Sequence, residues 1–304
     1  LTTGVRSQTY GGLGVERDLA LAYQGRLQKV ESYQQTIDTL DVRMQVGDKT
    51  LTQLSKLASE LKGSLDPNSF NLSTTGVTDS QTYALETLNA FTSLLNTDVA
   101  GRYLFSGAAI DTEPVVGVDT MLDGADGKAG LRQLISERLQ ADQGADGHGR
   151  LALSTSGSTV TLGEDGDHPF GMKLSVVTST LKNATVTGPS GTPATLDVAF
   201  ADQPEVGDRL TVTFTLPDGS TTKFDVEAGR SNDTSTGTFQ IGSSTDDTAA
   251  NLTNLIDFEI RKLAGVDLVA ASAVQAGNEF FDTDGGGAPK RVDGPPFASA
   301  TALV

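Results

Sequence analysis

The sequence predicts a multidomain α+β protein: a long antiparallel coiled-coil helical rod with an inserted β-rich outer domain. Three observations predict it. Apolar residues recur on a heptad over the first third of the chain. The composition shifts to Gly and Asp after Arg102. Pairs of alternating segments then flank turn residues in the middle of the chain.

The heptad begins at Tyr23 and continues through Val30, Ile37, Met44, Leu51, Ala58 and Leu65. A companion series runs Tyr33, Leu40, Gly47, Leu54 and Leu61. The two interleave at 3-and-4 spacing, which is the apolar seam of packed helices. No proline interrupts Gly14 to Asp66, so one helix of about 50 residues, about 75 Å long, is expected. Gly47 is unusual within the seam and marks either close helix approach or a bend. Asp66-Pro67-Asn68 closes the helix, because proline disfavours α geometry in the residue before it. A second helix is expected from an Asp79 cap to Ala100, with Ala84, Leu88, Phe91, Leu95 and Val99 on one face. It is about half as long as the first and leaves part of the seam uncovered. Either copies of the chain associate, or a third long helix lies outside the sequence as given.

Tyr103-Leu104-Phe105 reads as a short strand. Ala129–Gln140 reads as a helix, with Leu131, Leu134, Ile135 and Leu139. Leu151–Ser154 with Thr159–Leu162, and Arg209–Leu216 with Thr221–Val226 around Pro217-Asp218-Gly219, read as hairpins. Thr195–Phe200 is a further strand. Helices are expected at Asp246–Leu263 and Ala270–Phe281, followed by a linker through Gly285-Gly286-Gly287 and Pro295-Pro296. The expected domains are 1–112, the helical rod; 113–285, the outer domain; and 286–304, a linker and return segment toward the rod.

The composition excludes several classes. The 304 residues include no cysteine, which removes disulfides, thiolate metal sites and cysteine nucleophiles. A net charge of −17 argues against nucleic acid and against anionic membrane surfaces as partners. No apolar run is long enough to cross a bilayer, and none of the residues given is expected to be a signal peptide.

Residues spread over the first third carry a family likeness. Leu1-Thr2-Thr3-Gly4-Val5-Arg6 resembles the opening of flagellins and hook-associated proteins. Leu27–Asp38 resembles the matching stretch of hook–filament junction proteins. Asn96-Thr97-Asp98-Val99-Ala100-Gly101-Arg102-Tyr103-Leu104-Phe105-Ser106-Gly107 is the most specific match, with Asn96, Gly101, Tyr103, Leu104, Phe105 and Gly107 as its signature. Thr9–Gly14 replaces the Asp-Asp-Pro/Ala-Gly run of filament flagellins and favours their junction relatives. The resemblance covers about residues 1–115. It implies an extracellular structural subunit of the bacterial flagellum, exported without a cleaved signal peptide. Its implied partners are like subunits, neighbouring hook-associated proteins or flagellin, and an export chaperone. It also implies that the terminal segments forming the family's filament core lie outside this sequence, so that the chain by itself is monomeric or weakly associating.

Enzyme motifs do not compete. Asp119, Asp123 and Asp126, then Asp142 and Asp146, then Glu164, Asp165 and Asp167 supply oxygen ligands on Gly-rich loops, but none has calcium-loop spacing. His148 and His168 sit in Gly/Asp loops, and Gly188-Pro189-Ser190-Gly191 is not a nucleophile elbow. The expectation is therefore no enzyme, no cofactor and no metal. The alternatives are a flagellin that builds the filament shaft, or a surface glycan-binding module on the outer domain, although no aromatic platform advertises the latter.

Overall fold

Helix α1 covers Arg17–Ser64, 48 residues entered through a 3-10 segment at Tyr10–Glu16. It belongs to a computed structural model that describes residues 9–64, 78–282 and 289–304. The Leu1–Arg6 motif, Leu65, Asp66-Pro67-Asn68 and Gly285-Gly286-Gly287 lie outside the described residues. The chain divides into two units, Leu1–Thr120 and Met121–Val304.

In the first unit, α2 covers Asp79–Leu95. Its cap is Thr78, one residue before the expected Asp79. The Thr78 hydroxyl accepts from the Gln81 N–H at 3.1 Å, and Gln81 Oε1 accepts from the Thr78 N–H at 3.0 Å. This reciprocal box satisfies two amides that the helix leaves open. The helix stops at Leu95 and not at Ala100, because the Asn96 side chain leaves the helix and takes both backbone groups of Val115. Ala100 and Gly101 then adopt positive φ and fold the chain back, so that Tyr103 bridges Asp98 and its N–H reaches Ile110 O at 2.9 Å. The expected strand at Tyr103–Phe105 is a turn cluster.

The predicted coiled-coil rod is not present among the described residues. α2 has 17 residues against 48 and meets α1 through one side only. Buried Thr50 with half-buried Arg43, Gly47, Leu54 and Leu57 forms the covered stripe of α1. That stripe is rotated from the predicted seam, whose Met44 and Leu51 stay exposed over the same stretch. Of the row the periodicity predicts, Gly47 and Leu54 are half-buried, while Tyr23 to Met44 and Leu51 stay exposed, so α1 and α2 do not form a rod. The α2 residues that are buried are Thr87 and Thr92, and Phe91 of its expected apolar stripe is exposed.

The second unit is α+β. α3 (Val118–Asp123) leads into a two-residue hairpin, β1 (Gly124–Ala125) with β2 (Lys128–Ala129), and then α4 (Leu131–Gln143). Strands β3 (Leu151–Ser156) and β4 (Thr159–Glu164) form the expected first hairpin. β5 (Lys173–Ser179) and β6 (Ala184–Gly191) follow, then β7 (Ala194–Phe200), β8 (Arg209–Thr215), β9 (Thr221–Gly229) and β10 (Thr238–Gln240). One sheet has the order β3-β4-β7-β6 and is antiparallel. The other has the order β10-β9-β8-β5, with only β10 parallel to its neighbour. The β8–β9 hairpin closes through Pro217-Asp218-Gly219, where Gly219 supplies positive φ.

Helix α5 (Thr245–Gly265) packs against strands of both sheets, and α6 (Asp267–Phe281) packs on α4 and α5. Ser244 caps α5 by accepting the Asp247 N–H. Alternation puts Leu210, Val212 and Phe214 of β8, Phe224 and Val226 of β9, and Leu196 and Val198 of β7 into one core with Leu252, Ile256 and Ile260 of α5. Each contributes about 1.5–3 kcal/mol by burial. Residues 289–304 differ from the expected return toward the rod. They lie in the second unit, where Val292 and Ala300 share a small core with Ala141 of α4 and Phe170.

Candidate assembly surface

The α1 residues singled out by the heptad lie side by side at the surface. Tyr23, Val30, Tyr33, Ile37, Leu40, Met44 and Leu51 are each between 55% and 67% exposed. Leu54 is half-buried toward α2, and Leu61 lies on the helix with its side chain outside the described residues. Leu19 extends the row toward the N-terminus and Leu27 lies beside it, each more than half exposed. Scattered apolar residues on a surface are ordinary. A continuous row over some four turns or more marks an interaction surface. A helix this polar elsewhere gains its stability by burying such a face.

The signature residues after α2 act locally. Asn96 clasps Val115, donating to its carbonyl at 2.8 Å and accepting its N–H at 3.0 Å. Gly101 and Gly107 carry positive φ in the turns, and Leu104 N–H reaches Thr97 O. The Tyr103 hydroxyl donates to Glu113 at 3.4 Å. Leu104 and Phe105 are half-buried. These residues position the chain that leaves α2.

In the second unit the polar groups that chemistry would require are tied into the scaffold. Arg138 is buried and bonds Asp142 at 2.8 Å, Glu279 of α6, and Pro169 O, with Phe170 stacked beneath it at 5.1 Å. Asp142 also accepts the Gly171 N–H at 2.9 Å. Burial pushes the Asp142 carboxyl up, against the pull of Arg138. Gly171 has φ +77°, and a Cβ there would sit 2.4 Å from Arg150 Cβ, so the loop under Arg138 requires glycine. Arg291 of the C-terminal segment pairs with Glu137, and Arg150 donates to Ala298 O at 2.7 Å. Sequence reasoning passed over this rivet. Its only local signal is the i,i+4 spacing of Arg138 and Asp142.

Both histidines belong to such ties. His148 Nδ1 lies 2.9 Å from Asp146 and Nε2 2.7 Å from Asp257, which holds the 144–149 loop on α5. Burial raises Asp146 and Asp257, but hydrogen bonds from His148 and, for Asp257, Arg261 outweigh it and leave both carboxyls below their ordinary range. His168 Nε2 lies 2.7 Å from Asp165, and its Nδ1 accepts the Phe170 N–H. The candidate calcium oxygens are dispersed among these partners: Asp123 pairs with Arg132, Asp165 with Arg150, and Glu164 accepts the Leu174 N–H. Asp119, Asp126 and Asp167 join none of these ties. Among the described residues no group of three or more His, Asp or Glu side chains converges as a metal would require. No described helix is long and apolar enough to cross a membrane. No protein-family description, no curated protein and no solved structure matches this chain.

Proposed function

We propose that this chain is a structural subunit of the bacterial flagellum that joins hook to filament by ordered self-assembly outside the cell. One observation carries the assembly part of this reading. A 48-residue helix holds a continuous apolar row in water, at the positions where the heptad of the sequence placed it. A row of that length is explained by a macromolecular partner better than by a small ligand, because it forms a strip and not a concavity. The flagellar part rests on the Leu27–Asp38 and Asn96–Gly107 resemblance.

In this reading the second unit is a rigid ornament. Its buried arginines and both histidines are held in internal ties, and the work of the subunit falls to α1. The test is gold-labelled antibody against the chain on intact flagellated cells. Label confined to one band between hook and filament supports the reading. Label along the whole shaft replaces the junction role with that of a flagellin, and absence of label from flagella refutes both.

A further inference from the structure

The two four-stranded sheets end on the edge strands β10, β5, β3 and β6. An edge strand carries N–H and C=O groups that a second chain can pair with. Folded proteins block such edges with prolines, bulges, charges or covering loops. Three of these edges are blocked. β6 contains Pro189 and is bulged between Thr187 and Ser190. β5 opens on Lys173 and is bulged between Leu174 and Val176. β10 has three residues, and the chain itself covers its outer side: Asp233 exchanges backbone bonds with Thr238, and the Asn232 side chain accepts the Gln240 N–H.

β3 is not blocked. Leu151–Ser156 contains no charge and no proline, and it pairs with β4 in unbroken register. The Asp165 N–H donates to Arg150 O, so in that register Ala152, Ser154 and Ser156 also bond toward β4. Leu153 and Thr155 turn their N–H and C=O groups the other way, toward the edge. Ala152, Ser154, Thr155 and Ser156 are exposed and Leu153 is half-buried, whereas Leu151 is buried. Helix α5 meets the strand on its core face, where the hydroxyls of Thr253 and Thr155 bond each other.

We propose that β3 pairs with β3 of a second copy of this chain, antiparallel about a two-fold axis at Ser154. The two sheets then continue as one, in the order β4-β3-β3-β4. The free groups select this register. Leu153 and Thr155 lie symmetrically about Ser154, so Leu153 of each copy stands opposite Thr155 of the other, and each such pair exchanges both hydrogen bonds. The same register keeps the core faces of both strands on one side. The outer side chains that meet are Ser154 with Ser154 and Ala152 with Ser156. All are small and uncharged, so no carboxylates are brought together in a chain of net charge −17. A strand of six residues falls well short of the roughly 800 Å² per partner of a stable interface. The edge therefore joins second units where another contact, or high concentration, already brings copies near. It adds a contact to the assembly reading without resting on it.

The chain contains no cysteine, so a single introduced thiol reports on one position alone. Full-length Ser154→Cys and Thr185→Cys are oxidised mildly at high concentration, and the initial rate of disulfide dimer formation is read. Thr185 is an equally open position on the blocked edge β6. At the axis the two Ser154 Cα atoms are expected about 4.5 Å apart, within disulfide reach. Ser154→Cys should therefore dimerise at least about tenfold faster than Thr185→Cys. Adding Ala152→Lys with Ser156→Lys, both on exposed positions, should remove the excess. An equal mixture of that variant with one carrying Ala152→Glu and Ser156→Glu should restore it as a mixed dimer. Equal rates at the two cysteines, a rate that the lysines leave unchanged, or a mixture that restores nothing would each overturn the pairing. None of these results bears on the flagellar reading, which the antibody label tests separately.

Discussion

Replacing Tyr33, Ile37, Leu40 and Met44 together by Gln should abolish association and leave folding almost untouched. Full burial of a side chain of this size contributes about 1.5–3 kcal/mol. With 55% to 67% of each still exposed, about 0.8–2 kcal/mol per residue remains for a partner to gain. Over four residues that is about 3–8 kcal/mol before the losses that accompany association, and the lower figure already corresponds to a hundredfold or more in affinity. Folding should respond differently. Gln is a good helix former, and its methylenes keep most of the contacts these residues make along the helix. The cost to stability is therefore within about 0.5 kcal/mol per site, the range of ordinary surface changes. Sedimentation velocity over a range of concentrations reads the first quantity, and thermal melting by circular dichroism reads the second. A loss of several kcal/mol in stability would show that the row is internal core in solution, and association equal to the parent's would show that partners dock elsewhere.

Gly47→Ala should raise the stability of α1 by up to about 1 kcal/mol, because an added Cβ meets nothing within 4 Å; an unchanged or lower melting temperature would contradict this. If assembly brings another helix close at Gly47, the same variant should also associate less. Asp142→Ala should cost the second unit about 3 kcal/mol, since it leaves buried Arg138 with Glu279 as its one remaining carboxylate and the Gly171 N–H without an acceptor. Asp142→Asn, which keeps an acceptor, should cost less, and urea midpoints compare the two. The second unit should also lose stability in acid. Asp225, Asp233 and Asp247 are held below the ordinary carboxyl range, first by hydroxyl hydrogen bonds from Thr211, Ser235 and Ser243, and Asp146 and Asp257 are also low. A lowered carboxyl stabilises the fold above its unfolded value of about 4 and loses that contribution as the pH falls through the folded value. Asp142, raised by burial, works in the opposite sense. A urea midpoint that holds or rises between pH 5 and pH 2.5 would contradict the sum.

Elements with strong local signals were legible in the sequence. The α1 heptad, the Pro217-Asp218-Gly219 hairpin and the Leu252–Ile260 stripe of α5 each appear where periodicity or turn chemistry places them. β6 is absent from the elements the sequence predicts, because Gly188 and Pro189 interrupt its strand pattern. Its place at the edge of its sheet is what tolerates the proline. β5 lacks clean alternation, with a bulge between Leu174 and Val176 and exposed Val176. The coiled-coil rod failed for a different reason. Periodicity reports that a face is apolar, and whether another element reaches that face is a tertiary matter. Asn96 illustrates the same limit at short range: ending α2 there depends on Val115, 19 residues away. The apolar row itself was visible in the sequence. Its exposure depends on where α2 lies.

The most direct measurement is electron microscopy of intact flagellated cells labelled with gold-conjugated antibody against this chain. The account predicts a single band of label between hook and filament. Label along the shaft, or none on flagella, would contradict it.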